Sequence, residues 1–483
     1  MATATDTAPD GQHGDAPREA STAADSRSRA SAALPPGPRL PALAQTLAWA
    51  LAPTWLMDRC ARTLGEIFTL TFWPSGRRMV FLSDPHAVKT LFTTAPDIAP
   101  SATGSSPLAP VVGPSSVLVL TGAEHMRQRK LLLPPFHGER MREYEHVIAQ
   151  ATARDIAQWP LGVPLAMQPR TRAITLEVIL RAVFGVEAER MQPLKAAIGD
   201  LFGPGQLLVV LRAALRGPSR ERPKGAVGRA LDRLDALTYA EIARRRADPD
   251  LAGRADILSL LLLARDADGA AMTDRELRDE LVTLLLAGHE TTATSVAWAL
   301  ERLVRHPRKL ARLTAELDAG EDEYLTAVVH ETLRVRPVVP VVARMLTREL
   351  ELAGHLLPAG TRVMPSIYLV NRNPRIYQRP HAFEPERFLA GAPDTFSWIP
   401  FGGGIRRCIG ASFALLEMKV MLRTMLRELQ PSAPPERSRA RALRAAGRSG
   451  PPHGGLDERI RRRAITLVPA RGATVVWHRR SAH

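Results

Sequence analysis

A glycine-rich segment that contains a cysteine is the strongest chemical signal in the sequence. Residues 401–410 read Phe-Gly-Gly-Gly-Ile-Arg-Arg-Cys-Ile-Gly, and the residues from Ala411 onward predict a helix. Cys408 would then lie at or just before a helix N-terminus, where the helix dipole and free N–H groups lower the pKa of a thiol. Glycines let such a loop closely approach something large and flat. A buried, inert cysteine needs neither feature, so the segment predicts a reactive or ligand-binding thiolate.

A second unusual segment lies in the middle of a long predicted helix. Thr273 and Glu276 form a T-x-x-E capping box, and the next helix breaker is Pro307. The helix would therefore run about 32 residues, or roughly 48 Å, and its middle must lie in the core. Residues 287–292 there read Ala-Gly-His-Glu-Thr-Thr, a combination that disfavours a regular helix. Such departures tend to mark functional sites, although a kinked packing helix with a solvated Glu290 is an alternative interpretation.

Composition excludes several classes of protein. With two cysteines, Cys60 and Cys408, the 483-residue chain cannot by itself build an iron–sulfur cluster, a four-cysteine zinc site or a disulfide scaffold. The net charge of +16 comes mainly from arginine, since only six of the 65 basic residues are lysines. Residues 431–463 carry nine arginines and only three acids among Pro, Gly, Ser and Ala, which predicts a basic flexible insertion. Because no aromatic residues are interleaved there, we do not expect nucleic-acid binding.

The terminal segments bear on localisation. Residues 1–33 lack the apolar run of a signal peptide, and their composition predicts a disordered tail. Residues 41–57 are apolar and Ala-rich, but they are interrupted and fall short of the ~20 residues that span a bilayer. We therefore expect a cytoplasmic protein without a transmembrane segment.

The elements that must position the two chemical segments are mostly helical. Residues 66–83 predict a β-hairpin around a Pro74-Ser75-Gly76 turn, and residues 122–335 predict helices. Strand signals return at 349–370 and 464–477, and no linker divides 34–430. The pattern predicts a single domain over 34–483 that is mainly α with small β-sheets, an α+β fold.

The cysteine segment resembles the haem-ligand loop of the cytochrome P450 superfamily. All fixed positions of F-x-x-G-x-R-x-C-x-G are filled, by Phe401, Gly404, Arg406, Cys408 and Gly410. Four more elements stand in the family's order. They are the oxygen-activating motif at 287–292, E-x-x-R at 331–334, the arginine-bearing segment at 383–388, and the haem-propionate pair His125 and Arg129 of bacterial members. The resemblance covers 34–430 and resumes at 464–477, whereas 431–463 departs from it.

The resemblance implies the cytochrome P450-like fold, with haem b between the long central helix and the cysteine-loop helix. Cys408, as a thiolate, would be the axial ligand of the haem iron, and Phe401 would pack beside it. The haem propionates would bind a set of four residues: His125, Arg129, Arg344 and Arg406. For His125 a helix-surface histidine remains an alternative, and for Arg344 a solvated surface arginine.

The resemblance also assigns residues that do not hold the cofactor. Glu331, Arg334 and Arg387 would form a structural ion network. Thr291 with Glu290 would deliver protons during O2 activation. His289 is at the variable position of the motif and receives no role.

The implied function is that of a monooxygenase that inserts one oxygen atom from O2 into a hydrophobic small molecule. The wholly apolar segment Val338–Val342 agrees with such a substrate. No flavin or nicotinamide fingerprint is present, so electrons would come from an external ferredoxin or flavodoxin and its reductase. Such carriers are usually acidic, and Arg127, Lys130 and Arg407 would suit their docking to this monomer.

Three other functions remain open. A peroxygenase or rearranging haem-thiolate enzyme could dispense with the Glu290–Thr291 pair, and a non-catalytic haem-binding or sensor protein would not need it. A cysteine-nucleophile hydrolase would need a recognisable His or acid partner for Cys408, and none is evident.

Overall fold

The computed structural model describes residues 34–101, 108–136, 138, 140–185, 188–201, 222–391, 394–435 and 458–480. The predicted tail 1–33 and the centre of the predicted insertion, 436–457, lie outside the described residues.

Helices dominate the described chain, as predicted. They are α1 Ala42–Leu51, α2 Pro53–Leu64, α3 Pro85–Thr93, α4 Ala109–Val112, α5 Gly122–Leu132, α6 Arg140–Ile156, α7 Met167–Phe184, α8 Ala188–Leu201, α9 Ala226–Arg246, α10 Ile257–Leu263, α11 Asp274–Arg305, α12 Pro307–Asp318, α13 Glu323–Val335, α14 Ile367–Val370 and α15 Ala411–Glu428. Short 3₁₀ turns include Pro385–Phe388 and Gly404–Arg406.

The strands form small sheets at the periphery of the helical body. They are β1 Ile67–Phe72, β2 Arg77–Leu82, β3 Pro164–Ala166, β4 Arg344–Met345, β5 Leu350–Leu352, β6 His355–Leu357, β7 Arg362–Pro365, β8 Leu429–Ser432, β9 Ile460–Arg463, β10 Thr466–Pro469 and β11 Thr474–Arg479. One sheet has the order β1-β2-β7-β4, with β2 and β7 parallel, and another has the order β3-β11-β8. The pairs β5–β6 and β9–β10 are antiparallel hairpins.

The long helix forms as predicted and lies at the centre of the fold. The Thr273 side chain accepts a hydrogen bond from the Glu276 N–H, and the Glu276 carboxylate accepts one from the Thr273 N–H. α11 then runs unbroken for 32 residues, most of them buried, and packs along α7 and against α15. Gly288 permits this packing, because a Cβ there would come within 3.0 Å of the Ile179 side chain.

Three sequence predictions require correction. The strand signal at 349–370 fails at its end, where Ser366 caps the short helix α14, whose four residues are all buried. Strand β3 was not predicted, because three residues are too few to show alternation. The predicted insertion 431–463 is too wide: β8 includes 431–432, Glu458 is buried and β9 occupies 460–463. These ends are ordered by antiparallel pairing with strands that precede or follow them, which local composition does not reveal.

Among the described residues, none of the helices combines the length and the apolar character that crossing a membrane requires.

Candidate active site

The cysteine loop is held by tight backbone packing against α3. Gly404 has φ +66°, and a Cβ there would lie 2.4 Å from the carbonyl oxygen of Phe92. A Cβ on Gly403 would lie 2.3 Å from the Phe92 ring. Glycine is therefore required at positions 403 and 404 because any side chain there would collide with Phe92. The sequence did not reveal this contact. The Cys408 N–H donates to the Phe401 carbonyl at 3.0 Å, which closes the loop just before α15 begins.

Cys408 has accessible surface, but many protein atoms surround it. Cys60, by contrast, is buried in the core. Burial nevertheless raises the pKa of the Cys408 thiol, and the Gly410 N–H and the charges of Arg129 and Arg407 lower it by less. Both observations fit a thiol on the wall of an internal space. The predicted lowering of this pKa is therefore wrong for the protein alone, because desolvation outweighs the helix terminus and the arginines.

The middle of α11 presents an accessible face within an otherwise buried helix. Ala287 is exposed and Thr291 is half-buried one turn later, whereas His289, Glu290 and Thr292 are buried. The Thr291 hydroxyl donates to the Ala287 carbonyl at 2.7 Å, so both groups lie on one side of the helix. A small residue and a hydroxyl therefore face open space at the position where the oxygen-activating motif was predicted.

The cysteine-loop helix contacts the long helix beside this face. Glu417 of α15 is buried, and its carboxyl group hydrogen-bonds the Thr292 side chain. Burial raises the pKa of Glu417 to about 8, because removal from water disfavours the charged carboxylate. Sequence analysis did not single out Glu417 or Thr292. Their only sequence signal is an acid on a helix face that is otherwise apolar, at Phe413, Met421 and their neighbours.

Glu290 is buried and held by two arginines from distant parts of the chain. The Arg172 Nε of α7 lies 2.7 Å from one carboxylate oxygen, and the Arg463 Nη1 at the end of β9 lies 3.3 Å from the other. Burial raises the pKa of Glu290, while the two guanidinium groups lower it. The alternative of a kinked helix with a solvated Glu290 is therefore wrong. Neither arginine could be predicted, and Arg463 was assigned to the flexible insertion.

The four predicted propionate-binding residues lie together, without a carboxylate among them. His125 is 1% exposed, and burial together with the charges of Arg406, Arg129 and Arg344 lowers its pKa to about 4. Burial also lowers the pKa of Arg344, and that of Arg406, each to about 10. The two alternatives, a surface histidine at 125 and a solvated arginine at 344, are contradicted by this burial. Within the described part of the chain, no carboxylate forms an ion pair with any of the three arginines.

Some buried nitrogen atoms of this cluster have no hydrogen-bond partner among the described residues. Arg406 donates to the carbonyl oxygens of Val117 and Leu120, and Arg344 donates to that of Gly403 at 3.1 Å. The Nδ1 of His125 and the Nε of Arg406 have no partner among the described residues. Buried cations without counter-charges are costly unless an anion joins them. The residues therefore fit a ligand that carries carboxylates, such as the two propionates of haem, beside the thiol of Cys408.

Phe401 packs beside Trp398 at the start of the cysteine loop. It is half-buried, its ring meets that of Trp398 edge-to-face at 6.0 Å, and its carbonyl oxygen accepts the Cys408 N–H. Phe401 thus contacts the cysteine segment through its backbone, as well as filling space next to it.

The predicted ion network lies at the C-terminal end of α13, with Glu331 and Arg334 fully buried and Arg387 partly buried. Arg334 donates to both carboxylate oxygens of Glu331 at 2.6 and 2.8 Å, and both residues have no exposed surface. Arg387 contacts Glu331 at 3.3 Å and Glu384 at 2.6 Å. Arg334 also donates to three backbone carbonyls, of Asn371, Pro380 and Ala382. The network therefore ties α13 to the segment that leads to the cysteine loop.

The apolar segment that was predicted to contact the substrate is joined to a C-terminal hairpin. The Leu467 N–H of β10 donates to the Val338 carbonyl at 2.7 Å, which brings the C-terminal hairpin to the apolar segment 338–342.

One of the three residues predicted to dock an electron carrier has its charge neutralised. Arg127 is bound by Asp266 and Glu276, at 2.5 Å each, while Lys130 and Arg407 are exposed.

Comparison with protein families and curated proteins gives a consistent result. The cytochrome P450 family model matches residues 35–450. The chain is 42% identical over 454 residues to cytochrome P450 135B1 of Mycobacterium bovis, an alignment that covers 92% of this chain and 91% of the relative. It is 40% identical over 423 residues to cytochrome P450 137 of Mycobacterium tuberculosis, with 87% and 84% covered.

Solved structures show the same fold. A retinoic acid-bound cyanobacterial CYP120A1 superimposes with a TM-score of 0.77 at 25% identity, over 92% of this chain and 99% of that structure. The haem domain of cytochrome P450DA superimposes with a TM-score of 0.76 at 21% identity, over 93% and 98%.

Proposed function

Because the chain belongs to the cytochrome P450 superfamily and is thus a haem-thiolate monooxygenase, we propose that it oxidises a hydrophobic small molecule with electrons from an external ferredoxin or flavodoxin and its reductase. The observation that carries the proposal is the buried cluster of His125, Arg129, Arg344 and Arg406 beside Cys408. The cluster supplies positive charge and Cys408 supplies a thiol. Within the described chain no carboxylate pairs with the three arginines, so these residues fit a ligand that carries carboxylates and a metal. Haem, in our proposal haem b, brings both and supplies the activation of O2.

Cys408 would hold the cofactor from one side, and the cation cluster would orient it. Arg344 and Arg406 already satisfy backbone carbonyls with part of their guanidinium groups, so each has a fixed position before the ligand arrives. Fixed donors lose little conformational freedom on binding, which strengthens their hydrogen bonds to carboxylates. Phe401 and the glycine loop would keep water from the thiolate.

Thr291 and Glu290 would move protons to the oxygen that is being reduced. Thr291 lies on the accessible face of α11, and Glu290 lies one residue earlier, behind that face. The two arginines at Glu290 favour its ionised form, which can accept a proton from the protein exterior and pass it on through the hydroxyl and bound water. Burial opposes ionisation, and the balance keeps the carboxyl able to exchange protons.

The substrate class is supported by the apolar segment 338–342 and by its contact with β10. The cyanobacterial relative CYP120A1 was solved with retinoic acid, which is itself a long apolar molecule. We infer a hydrophobic substrate for this chain on the same grounds, with O2 as the co-substrate.

Electron delivery would use the surface near the cysteine loop. Lys130 and Arg407 are exposed there, and an acidic carrier would be attracted to them. Arg127, which is already ion-paired, is not part of this docking surface in our proposal. We also propose that residues 34–483 form one domain, because β3, β8 and β11 join distant parts of the chain in one sheet. We propose that this domain acts as a monomer.

The first experiment tests the cofactor assignment with two cysteine variants. We expect Cys408→Ala to lose the thiolate-type Soret band of the reduced carbon monoxide complex completely, while Cys60→Ala retains it. Cys60 is the matched control because it is buried among Leu56, Met57 and Phe68 and far from the cation cluster in sequence. A thiolate-type spectrum in Cys408→Ala would refute the proposal. Spectral shifts of the ferric protein with a panel of small hydrophobic ligands would then test the substrate class.

The second experiment tests the proton relay. Thr291→Ala should fold, bind haem and take up electrons, but release hydrogen peroxide in place of product. Loss of one positioned proton-transfer group costs about 10²–10⁴-fold in rate, so product formed per reduced nicotinamide should fall far more than electron uptake. Thr294→Ala, a buried hydroxyl on the same helix, is the control. Full coupling in Thr291→Ala would show that the hydroxyl is structural; failure of the wild type to consume reductant with any substrate would favour a peroxygenase or binding protein.

A further inference from the structure

The first helix of the fold has its polar side chains turned inward and its leucines turned outward. Gln45 is buried: its Nε2 donates to the Leu40 carbonyl at 2.8 Å, and its Oε1 accepts from the Thr71 N–H at 2.8 Å. The Thr46 hydroxyl accepts from the Trp73 N–H at 2.9 Å. α1 therefore lies along β1, the outer strand of its sheet, and satisfies the N–H groups that an edge strand leaves unpaired.

This orientation leaves the apolar side of α1 in the open. Leu43, Leu47 and Leu51 are 47%, 52% and 79% exposed, and their spacing of four residues places them on one face of the helix. Trp55, in the first turn of α2, is 50% exposed, and Trp73, at the hairpin end against α1, is 48% exposed. We call these five residues the N-terminal apolar face. Single exposed apolar residues are ordinary, but several on one helix face and on the elements beside it mark an interaction site.

Positive charge surrounds the N-terminal apolar face. Arg39 precedes α1, Arg59 and Arg62 follow Trp55 on α2, and Arg78 lies in the adjoining hairpin; all four are exposed. The Arg59 guanidinium lies 5.7 Å from the centre of the Trp55 ring. Within the described chain, Arg39, Arg62 and Arg78 form no ion pair with an acid, and the sequence has no Asp or Glu from residue 26 to 57. The face and its border therefore match a surface that is apolar inside and negatively charged at its edge.

We propose that the N-terminal apolar face docks on the surface of an anionic phospholipid bilayer. The leucines would enter the boundary between headgroups and acyl chains, the two tryptophans would lie at headgroup level, and the arginines would bind lipid phosphates. The contact is peripheral and needs no spanning helix. It does not depend on the proposed function, since it uses none of the residues near Cys408.

Two other occupants fit the face less well. A second copy of this chain, packed through the same face, would bring Arg39, Arg59, Arg62 and Arg78 against their own equivalents. The preceding residues 1–33 contain no Leu, Ile, Val, Phe, Tyr or Trp, so Met1 is the one large apolar side chain there and cannot cover three leucines. A bilayer supplies both the apolar interior and the negative charge.

The proposal is tested by binding of the haem-loaded full chain to sucrose-loaded vesicles. One vesicle type contains equal parts of phosphatidylglycerol and phosphatidylcholine, and the other contains phosphatidylcholine alone. We expect wild type to sediment with the anionic vesicles. Leu47→Ser/Leu51→Ser should reduce the partition coefficient roughly tenfold or more, because less apolar surface is removed from water. The matched control is Leu263→Ser/Leu356→Ser, at exposed leucines elsewhere in the fold, and it should bind like wild type.

A charge variant makes the test independent of the leucines. Arg59→Gln/Arg62→Gln should bind anionic vesicles roughly thirtyfold less tightly, since each arginine near such a surface contributes about 1 kcal/mol. Its binding should also depend less on salt than that of wild type. The proposal is overturned if wild type does not bind anionic vesicles, or if both variant pairs bind as wild type does. It is also overturned if light scattering without lipid shows a dimer that Leu47→Ser/Leu51→Ser dissociates, because a second copy would then cover the face.

Discussion

The Glu331 network and the His125 cluster are both buried groups of charged side chains, but only the first contains carboxylates. In the network, Glu331 and Glu384 balance Arg334 and Arg387, and remaining donors reach backbone carbonyls. The cluster places His125 beside three arginines, lowers the pKa of each of these four residues by burial, and leaves buried nitrogen atoms without partners.

We interpret this difference as follows: the charges of the Glu331 network stabilise the fold, whereas those of the His125 cluster would bind a ligand. A closed network stabilises the arrangement of α13 and the segment before the cysteine loop, and breaking it strands a buried charge. An open cluster of one sign should destabilise the protein without its ligand, and in our proposal an anion completes it. Glu290 is an intermediate case, a buried carboxylate whose arginines reach it from two other elements.

The largest expected effect comes from opening the closed network. Glu331→Ala removes the carboxylate that Arg334 and Arg387 share. The buried Arg334 then has no counter-charge, and Arg387 keeps only Glu384. We expect the free energy of unfolding to fall by about 3–5 kcal/mol, with poor expression or loss of haem. Urea unfolding followed by circular dichroism measures the change, and Arg387→Ala should show the same loss in a milder form. Glu321→Ala, at an exposed acid just before α13, is the control; equal stability of Glu331→Ala and this control would contradict the comparison.

Removing a charge from the open cluster should not destabilise the protein without haem, in contrast to removing one from the closed network. Arg129 is partly buried near Arg406 and His125, so Arg129→Met should leave the apoprotein as stable as wild type or more stable. Haem affinity should fall by about 1.5–3 kcal/mol, the range for a hydrogen bond to a charged group. Haem transfer to apomyoglobin measures the affinity. An apoprotein that is clearly less stable than wild type would show that Arg129 has a counter-charge of its own.

The third prediction uses the pH dependence of the open cluster. His125 has a pKa of about 4 in the fold, against 6.5 when exposed, so the native state stays neutral where the unfolded chain takes up a proton. Stability of the apoprotein should therefore fall as pH is lowered from 6.5 to 4, by at most about 1.4 kcal/mol per pH unit from this group. His125→Gln should remove that part of the slope.

His289 also has a pKa of about 4, so it too should lower the stability of the protein as the pH falls from 6.5 to 4. It therefore serves as the comparison. His289→Gln should remove a similar part of the slope in apoprotein. Added haem should reduce the contribution of His125 but not that of His289, because the propionates would favour a protonated His125. If haem changes both slopes equally, the anion does not lie at His125.

The smallest expected effect concerns the intermediate case, Glu290, and depends on the proposed proton relay. Arg172→Gln removes the closer of the two guanidinium groups and should raise the pKa of Glu290 further. The acidic limb of the pH profile for product formation should move to higher pH by roughly one unit. Arg170→Gln, which breaks an ion pair with Asp155 on the neighbouring α6, is the control. A pH profile that moves equally in both variants, or in neither, would exclude Glu290 from the relay.

Much of this protein was determined by residues close together in sequence. The capping box of α11, the spacing of Glu331 and Arg334 on one helix face, and the cysteine before α15 are all local, because hydrogen bonds and side-chain contacts within one turn depend on spacing alone. The resemblance rests on these same local patterns, and so the fold class and the family were correctly predicted. The exposed leucines of α1 are also visible in sequence, but an apolar face is normally interpreted as core.

The tertiary structure decided the rest, because burial and charge depend on groups that are distant in sequence. Arg463, the last residue of an arginine-rich stretch that predicted a flexible insertion, lies 3.3 Å from Glu290 because β9 pairs with β10. Gly403 and Gly404 are required by Phe92, some 310 positions earlier in the chain. The pKa of Cys408 is raised because desolvation by the surrounding fold outweighs its local helix terminus. The tertiary structure likewise decided which face of α1 is exposed. Gln45 and Thr46 face β1 because they accept hydrogen bonds from the N–H groups of Thr71 and Trp73, and the three leucines therefore face outward.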